Sequence, residues 1–176
     1  MNAISFDMRW NRLATQRVPV FDGAMRIGVI SDTHGLLRPE ALESLAGVGH
    51  IIHAGDIGSP EIVPRLTEVA SVTAIRGNVD TQPWAAAFAE HATVALAGRS
   101  IHILHDVGDL DFDPVERGIA IVVAGHSHRP KIETVNGVLF LNPGSAGHRR
   151  FKLPVTLATV DLTDDAVRPE IHELVV

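Results

Sequence analysis

Seven side chains able to bind a divalent cation lie just past candidate strand ends or beside glycines: Asp32, His34, Asp56, Asn78, His105, His126 and His128. They sit in the runs Ser31-Asp32-Thr33-His34-Gly35, Gly55-Asp56, Gly77-Asn78-Val79-Asp80, Leu104-His105-Asp106 and Gly125-His126-Ser127-His128. Carboxylate, amide and imidazole donors in this order suit a hydrolase that works with two metal ions. The chain has no cysteine, so any metal must be held by nitrogen and oxygen.

Each piece alone has a plainer reading. Asp32 and His34, two apart in extended backbone, can reach one cation from the same side, yet an aspartate after a strand also caps turns, and the same holds for Asp56. Asn78 can give an oxygen ligand without another charge while its NH2 holds a phosphoryl oxygen, or it can be a left-handed turn residue after Gly77. The strongest local piece is Gly125-His126-Ser127-His128, where two imidazoles leave one side of a loop after an apolar strand. His105 ends another strand and adds a further imidazole. His50, His91, His102, His148 and His172 read as strand, surface or supporting residues, and His53, three before Asp56, as one that orients a ligand.

These side chains need elements that end beside one another. Residues 25–31 read as a buried strand, 38–45 as a helix with proline in its first turn, and 50–54 as a second strand. Ser59 and Pro60 suit the N-cap and first position of a second helix with Ile62, Leu66 and Val69 on its apolar face. Residues 71–75 give a third strand. Alternation of strand and helix predicts a parallel sheet whose carboxyl ends collect the loops. From residue 92 onward short strands dominate, at 93–97, 100–104, 119–124, 131–135, 138–141 and 155–160, with a type I′ hairpin signal at Asn136-Gly137. A second sheet packed on the first is expected.

At 176 residues, the chain suits one domain with a full core, read as residues 25–176 after an N-terminal extension at 1–24. That opening stretch carries Asp7, Arg9, Arg12 and Arg17 and lacks the apolar region of a signal peptide. The best apolar run, residues 118–125, is strand length, far short of the roughly 18–20 residues of a membrane span. A cytoplasmic location is the default expectation, without a membrane partner. The formal net charge of -6 argues against a general nucleic-acid groove but permits a small anionic substrate beside bound cations. A homo-oligomer is left open.

The ordered set Asp32-x-His34, Gly55-Asp56, Gly77-Asn78, His105 and Gly125-His126-x-His128, followed by Asn142-Pro143-Gly144-Ser145, resembles the calcineurin-like metallophosphoesterases. Within them it is similar to the YfcE-like small phosphodiesterases, over residues 25 to about 174. The resemblance implies an α/β fold in which a two-sheet β-sandwich is flanked by helices. It implies that Asp32, His34 and His128 hold one ion, that Asn78, His105 and His126 hold a second, and that Asp56 bridges them. It also implies catalytic parts for Asn78 and His105. Two divalent transition-metal ions would fit, manganese foremost, with Ni, Co, Zn or Fe also suited. Hydroxide between the ions would then hydrolyse a small phosphodiester substrate.

Two departures stand out. Many relatives carry a histidine after the asparagine as proton donor, where this chain has Val79; the YfcE-like group lacks it too. Asp106 stands where glycine usually follows the histidine, and could add a carboxylate or cap the loop. Arg149 and Arg150 are candidates for orienting phosphate. The alternatives are a phosphomonoesterase using the same site and a non-catalytic protein-interaction scaffold, since the fold family includes a retromer subunit that acts through protein contacts.

Overall fold

The computed structural model describes residues 24–176; the expected N-terminal extension lies outside the described residues, apart from Ala24. Among the described residues, ten strands form two five-stranded sheets. The first begins with β1 (Met25–Ile30), β2 (His50–Ala54) and β3 (Ser71–Ile75), joined through α1 (Pro39–Ser44) and α2 (Ile62–Thr67). The three strands pair in parallel, with Val29 beside Ile52 and Ile52 beside Thr73. The second sheet takes β4 (His91–Leu96), β5 (Arg99–Leu104), β6 (Ile121–Val123), β7 (Lys131–Val135) and β8 (Val138–Asn142) in the order β4-β5-β6-β8-β7.

The first sheet is mixed, which corrects the expectation of a purely parallel one. β9 (Thr156–Leu162) returns antiparallel to β1, and β10 (Val167–Glu173) adds the edge, giving the order β10-β9-β1-β2-β3. β10 has no counterpart among the expected strands. Its proline and charges mask it, but it alternates, with Val167 and Ile171 packed on the inter-sheet core. Pro169 is tolerated because an edge strand has N–H positions that need no ladder partner. A second correction concerns α2. Ser59 and Pro60 form a turn ahead of the helix, whose N-cap is Glu61, and Ile62 N–H donates to the Ser59 carbonyl.

Two principal apolar clusters hold these layers. Ile27, Val29 and Ile52 from one sheet meet Ile101, Ile103, Ile121 and Val123 from the other. On the outside of the first sheet, Ile30 and Ile51 pack with Ala41 of α1 and Leu45 at its C-terminal end and with Ile62 and Leu66 of α2. The outside of the second sheet is covered differently, by Leu110 and Phe112 of the loop after β5 packing on Leu104, Ile119 and Val122. Both sheets carry three adjacent parallel strands, β1-β2-β3 and β5-β6-β8. The loops after β1, β2, β3, β5 and β6 carry all seven residues singled out above. Among the described residues, no helix is long and apolar enough to cross a membrane.

His50, buried in β2, has its ring nitrogens 2.7 Å from Ser71 Oγ and 2.9 Å from Thr73 Oγ1. Burial pushes its pKa down from 6.5 to about 4. The ring therefore stays neutral in the fold and charges in the unfolded chain. Its contribution to stability is complete above pH 6.5 and is lost as pH falls toward about 4. Denaturant unfolding at pH 7 and at pH 5 is expected to differ by about 2 kcal/mol through this residue. His50→Gln should shrink the difference by that amount, and an unaltered difference would clear His50 of the effect.

Candidate metal centre

Five of the seven residues hold left-handed backbone, with φ of 54° at Asp32, 47° at His34, 54° at Asp56, 64° at His126 and 57° at His128. Such conformations are uncommon outside glycine and persist only where the surroundings enforce them. Backbone bonds between loops supply the enforcement. Asp32 N–H donates to the Gly55 carbonyl at 3.0 Å, His34 N–H to Asp56 at 3.0 Å, and Gly125 N–H to His105 at 2.9 Å. Gly125 has to be glycine for space. A Cβ there would collide with Ser31 Oγ and lie 2.7 Å from Asp32 Oδ2.

The side chains converge as acceptors facing acceptors. His105 Nδ1 lies 2.7 Å from the Ala54 carbonyl and must donate to it, so a neutral ring has its lone pair on Nε2. That atom is buried without a hydrogen-bond partner, 3.3 Å from Asp56 Oδ1. Asp32 Oδ1, also buried and unpartnered, sits 3.1 Å from His128 Nε2 and 3.8 Å from His34 Nε2. The two imidazole nitrogens of His34 and His128 are 3.2 Å apart. Asp56 Oδ2 is 3.8 Å from His34 Nε2, so the carboxylate presents one oxygen to each side. Asn78 Oδ1 is 3.1 Å from His126 Nδ1.

Two groups could each hold an ion, Asp32 with His34 and His128, and Asp32 with Asp56 and His105. Asp32 belongs to both, while Asp56 spans from His34 to His105. Asn78 and His126 lie beyond His105, whose ring centroid is 5.3 Å from that of His126. Burial pushes the His34 pKa down against the pull of Asp56 and Asp32, keeping the ring available as a neutral donor. Burial also opposes charge on His105, but Asp56 and the Ala54 carbonyl outweigh it and raise its pKa. Asp56 itself is opposed by burial, yet His105, the Val79 N–H and His34 hold its carboxyl below the usual range. The fit to divalent cations rests on the two buried orphan atoms. Each has a lone pair and faces another donor atom, an arrangement that a cation relieves.

Several supporting residues were given no role from the sequence. Asp80, buried, accepts from Ile57 N–H at 2.9 Å, Gly58 N–H at 2.8 Å and Gly77 N–H at 2.9 Å, binding the Asp56 loop to the Asn78 loop. Asn142 donates to the Gly125 carbonyl and to Ser127 Oγ and accepts from Gly144 N–H, while Ser145 Oγ donates to the Asp32 carbonyl. Asn142-Pro143-Gly144-Ser145 is thus a clamp on the loops of Asp32 and His126. Its spacing after β8 was the available signal. His53, expected to orient a ligand, reaches Thr33 rather than one of the seven residues. Thr33 Oγ1 donates to the Ile57 carbonyl and so accepts from His53 Nε2, 2.9 Å away.

Asp106 does both things open to it, accepting from Gly108 N–H at 2.9 Å and placing Oδ2 3.5 Å from His126 Nε2. Val79 brings no acidic side chain to the site. Its side chain is exposed, and its N–H donates to Asp56 Oδ1 at 3.0 Å. Arg150 lies near enough to oppose protonation of His34, and Arg149 is exposed on the same loop. His148 is exposed, and His172 is 2.8 Å from Thr159 Oγ1 in β9, away from the seven residues.

Two sandwiched sheets with this donor set at their seam define a metallophosphoesterase. Residues 25–165 match the calcineurin-like phosphoesterase superfamily domain, and the chain belongs to that superfamily. It is 36% identical over 132 residues to a probable metallophosphoesterase of Methanothermobacter thermautotrophicus, spanning 69% of this chain and 77% of that protein. An archaeal phosphodiesterase of known structure is similar, with TM-score 0.70 and 24% identity over 84% of this chain and 100% of the other. Vacuolar Protein Sorting 29 from Cryptosporidium parvum has TM-score 0.69 and 21% identity, over 87% and 99%. These two structural likenesses speak to the fold.

Asp80→Asn replaces one acceptor oxygen with a donor, leaving at least one of the buried N–H groups unpaired. Stability to denaturant should fall by about 1–3 kcal/mol, and calorimetric metal affinity by about 10- to 100-fold. A stability loss with unaltered metal affinity would separate Asp80 from the site.

Proposed function

We propose that the protein is a metal-dependent phosphodiesterase with a dinuclear centre. The observation that carries this is the convergence of buried, unpartnered Asp32 Oδ1 and His105 Nε2 onto Asp56, His34 and His128. Asp32, His34 and His128 would hold one ion, Asn78, His105 and His126 the other, with the Asp56 carboxylate between. Bound divalent ions would lower the pKa of a water molecule and neutralise charge on the phosphoryl oxygens. The ligand set suits manganese or its transition-metal neighbours.

The remaining chemistry falls to the chain itself. The Asn78 NH2 is free to orient a phosphoryl oxygen, because the amide oxygen is the atom directed at His126. The charge of Arg150 reaches His34, whose protonation it opposes. No proton donor stands at Val79, so esters with good leaving groups should react fastest. Asp106, Asp109 and Asp111 line the approach with Arg117, while Glu90 is paired with Arg76. The net negative charge of this lining disfavours a dianionic monoester more than a monoanionic diester, which supports the diester over the phosphomonoesterase alternative. The likeness to Vacuolar Protein Sorting 29 favours a scaffold, but a scaffold needs no such convergence of donors.

Protein stripped of metal and reloaded separately with Mn, Co, Ni, Zn or Mg should hydrolyse an aryl phosphodiester faster than the matching monoester. Asp56→Asn should lower turnover by more than about 100-fold, beyond the 10- to 100-fold typical of residues that only orient ligands. Inactivity with every metal, or full activity in Asp56→Asn, would refute the dinuclear reading; faster monoester turnover would favour the alternative.

A further inference from the structure

Asn78, His105 and His126 line only part of a cavity of about 870 Å³. A phosphoryl group fills a small part of such a volume, which falls in the range of sites that enclose a whole small molecule. Another part of the lining is an arm made by His91, Thr93, His102, Phe112 and Arg117. Its planar groups are arranged in sequence. The Arg117 guanidinium carbon lies 4.1 Å from the centroid of the Phe112 ring. Phe112 meets His102 edge-on at 4.9 Å, and His102 lies 5.8 Å from His91 with the rings tilted by 37°. His102 is fixed by Thr93 Oγ1, 2.8 Å from its Nδ1.

Charge narrows what this arm can take. Arg76 is already paired with Glu90 at 2.8 Å, and Asp109 and Asp111 stand at the rim with Arg117. The arm therefore has no surplus of cations for a second phosphate. A planar and largely neutral group suits it: aromatic rings and guanidinium planes stack with nucleobases, and the rim carboxylates and Thr93 can accept from base amino groups.

We propose that this arm receives an alcohol moiety of the diester and selects one that carries a nucleobase, so that the substrates are nucleoside phosphodiesters. The inference rests on the phosphodiesterase reading for its chemistry but on the cavity for its specificity. Phe112 also packs on the outer apolar cluster, so Arg117, exposed and outside that cluster, is the residue to vary.

The test pairs two diesters with the same leaving oxygen, an adenosine 5′-(methyl phosphate) and its counterpart lacking the base, on the manganese-loaded protein. The base should raise kcat/KM by about tenfold or more, chiefly through KM. Calorimetry should show adenosine monophosphate binding about tenfold or more tightly than ribose 5-phosphate. Arg117→Ala and Arg117→Lys should both bring these ratios close to one, the lysine variant because it keeps the charge but loses the plane. Thermal unfolding verifies that the variants fold. Equal turnover and equal affinity with and without the base overturn the nucleobase subsite while leaving the phosphodiesterase intact. A calorimetric preference for adenosine monophosphate in a protein that hydrolyses no diester with any metal upholds the subsite and removes the phosphodiesterase reading.

Discussion

Everything in this fold is arranged around a repulsion. The buried Asp32 and Asp56 carboxylates share one small volume with the nitrogens of His34, His105 and His128. With His105 Nδ1 committed to the Ala54 carbonyl, its other nitrogen faces the carboxylates of Asp56 and Asp32. Protons can relieve this in part, as the raised pKa of His105 indicates. Divalent cations relieve it more completely, because one ion satisfies several lone pairs at once. Unfilled, such a cluster favours expansion, so rigid neighbours must hold it.

The rigidity comes from the seam between two sheets. Three adjacent parallel strands in each sheet deliver their carboxyl ends to one side, and the inter-sheet core from Ile27 to Val123 fixes their distance. Loop geometry is then set by hydrogen bonds to the loop backbone rather than by apolar packing. Asp80 fastens the loops after β2 and β3, Ser145 and Asn142 fasten those after β1 and β6, and Gly125 gives the closeness that a methyl group would prevent. The left-handed backbone at Asp32, His34, Asp56, His126 and His128 is the local cost of aiming these side chains inward.

The positions of the candidate ligands were legible because each lies just past an apolar run, and His34, Asp56, Asn78 and His126 also adjoin a glycine. Type and order, together with the length of the strands, were enough to place them at one edge. What could not be read was which loop bonds to which. Asp80 looks like an ordinary turn aspartate until Ile57 and Gly58, more than twenty positions earlier, are seen to donate to it. β10 was hidden for a different reason: Pro169 and alternating charges oppose strand assignment by propensity, whereas pairing with the buried β9 decides it. The mixed first sheet follows from the same long-range pairing of β9 with β1.

Chemistry and specificity have different anchors in this chain. Candidate ligands are held by strand ends, and a shift in any of them would disturb the core of both sheets. The arm of the cavity joins His91, Thr93 and His102 of β4 and β5 to Phe112 and Arg117 of the loop between β5 and β6, which covers the second sheet where the first has helices. Phe112 joins the two tasks, since it packs on the apolar cluster of Leu104, Ile119 and Val122 and supports Arg117 at the cavity. A loop with this double duty can exchange its polar side chains freely only while it keeps its apolar foothold. Substrate preference can thus change through Arg117 and its neighbours at little cost to the sandwich, whereas Phe112 ties the shape of the cavity to the stability of the sheet beneath it.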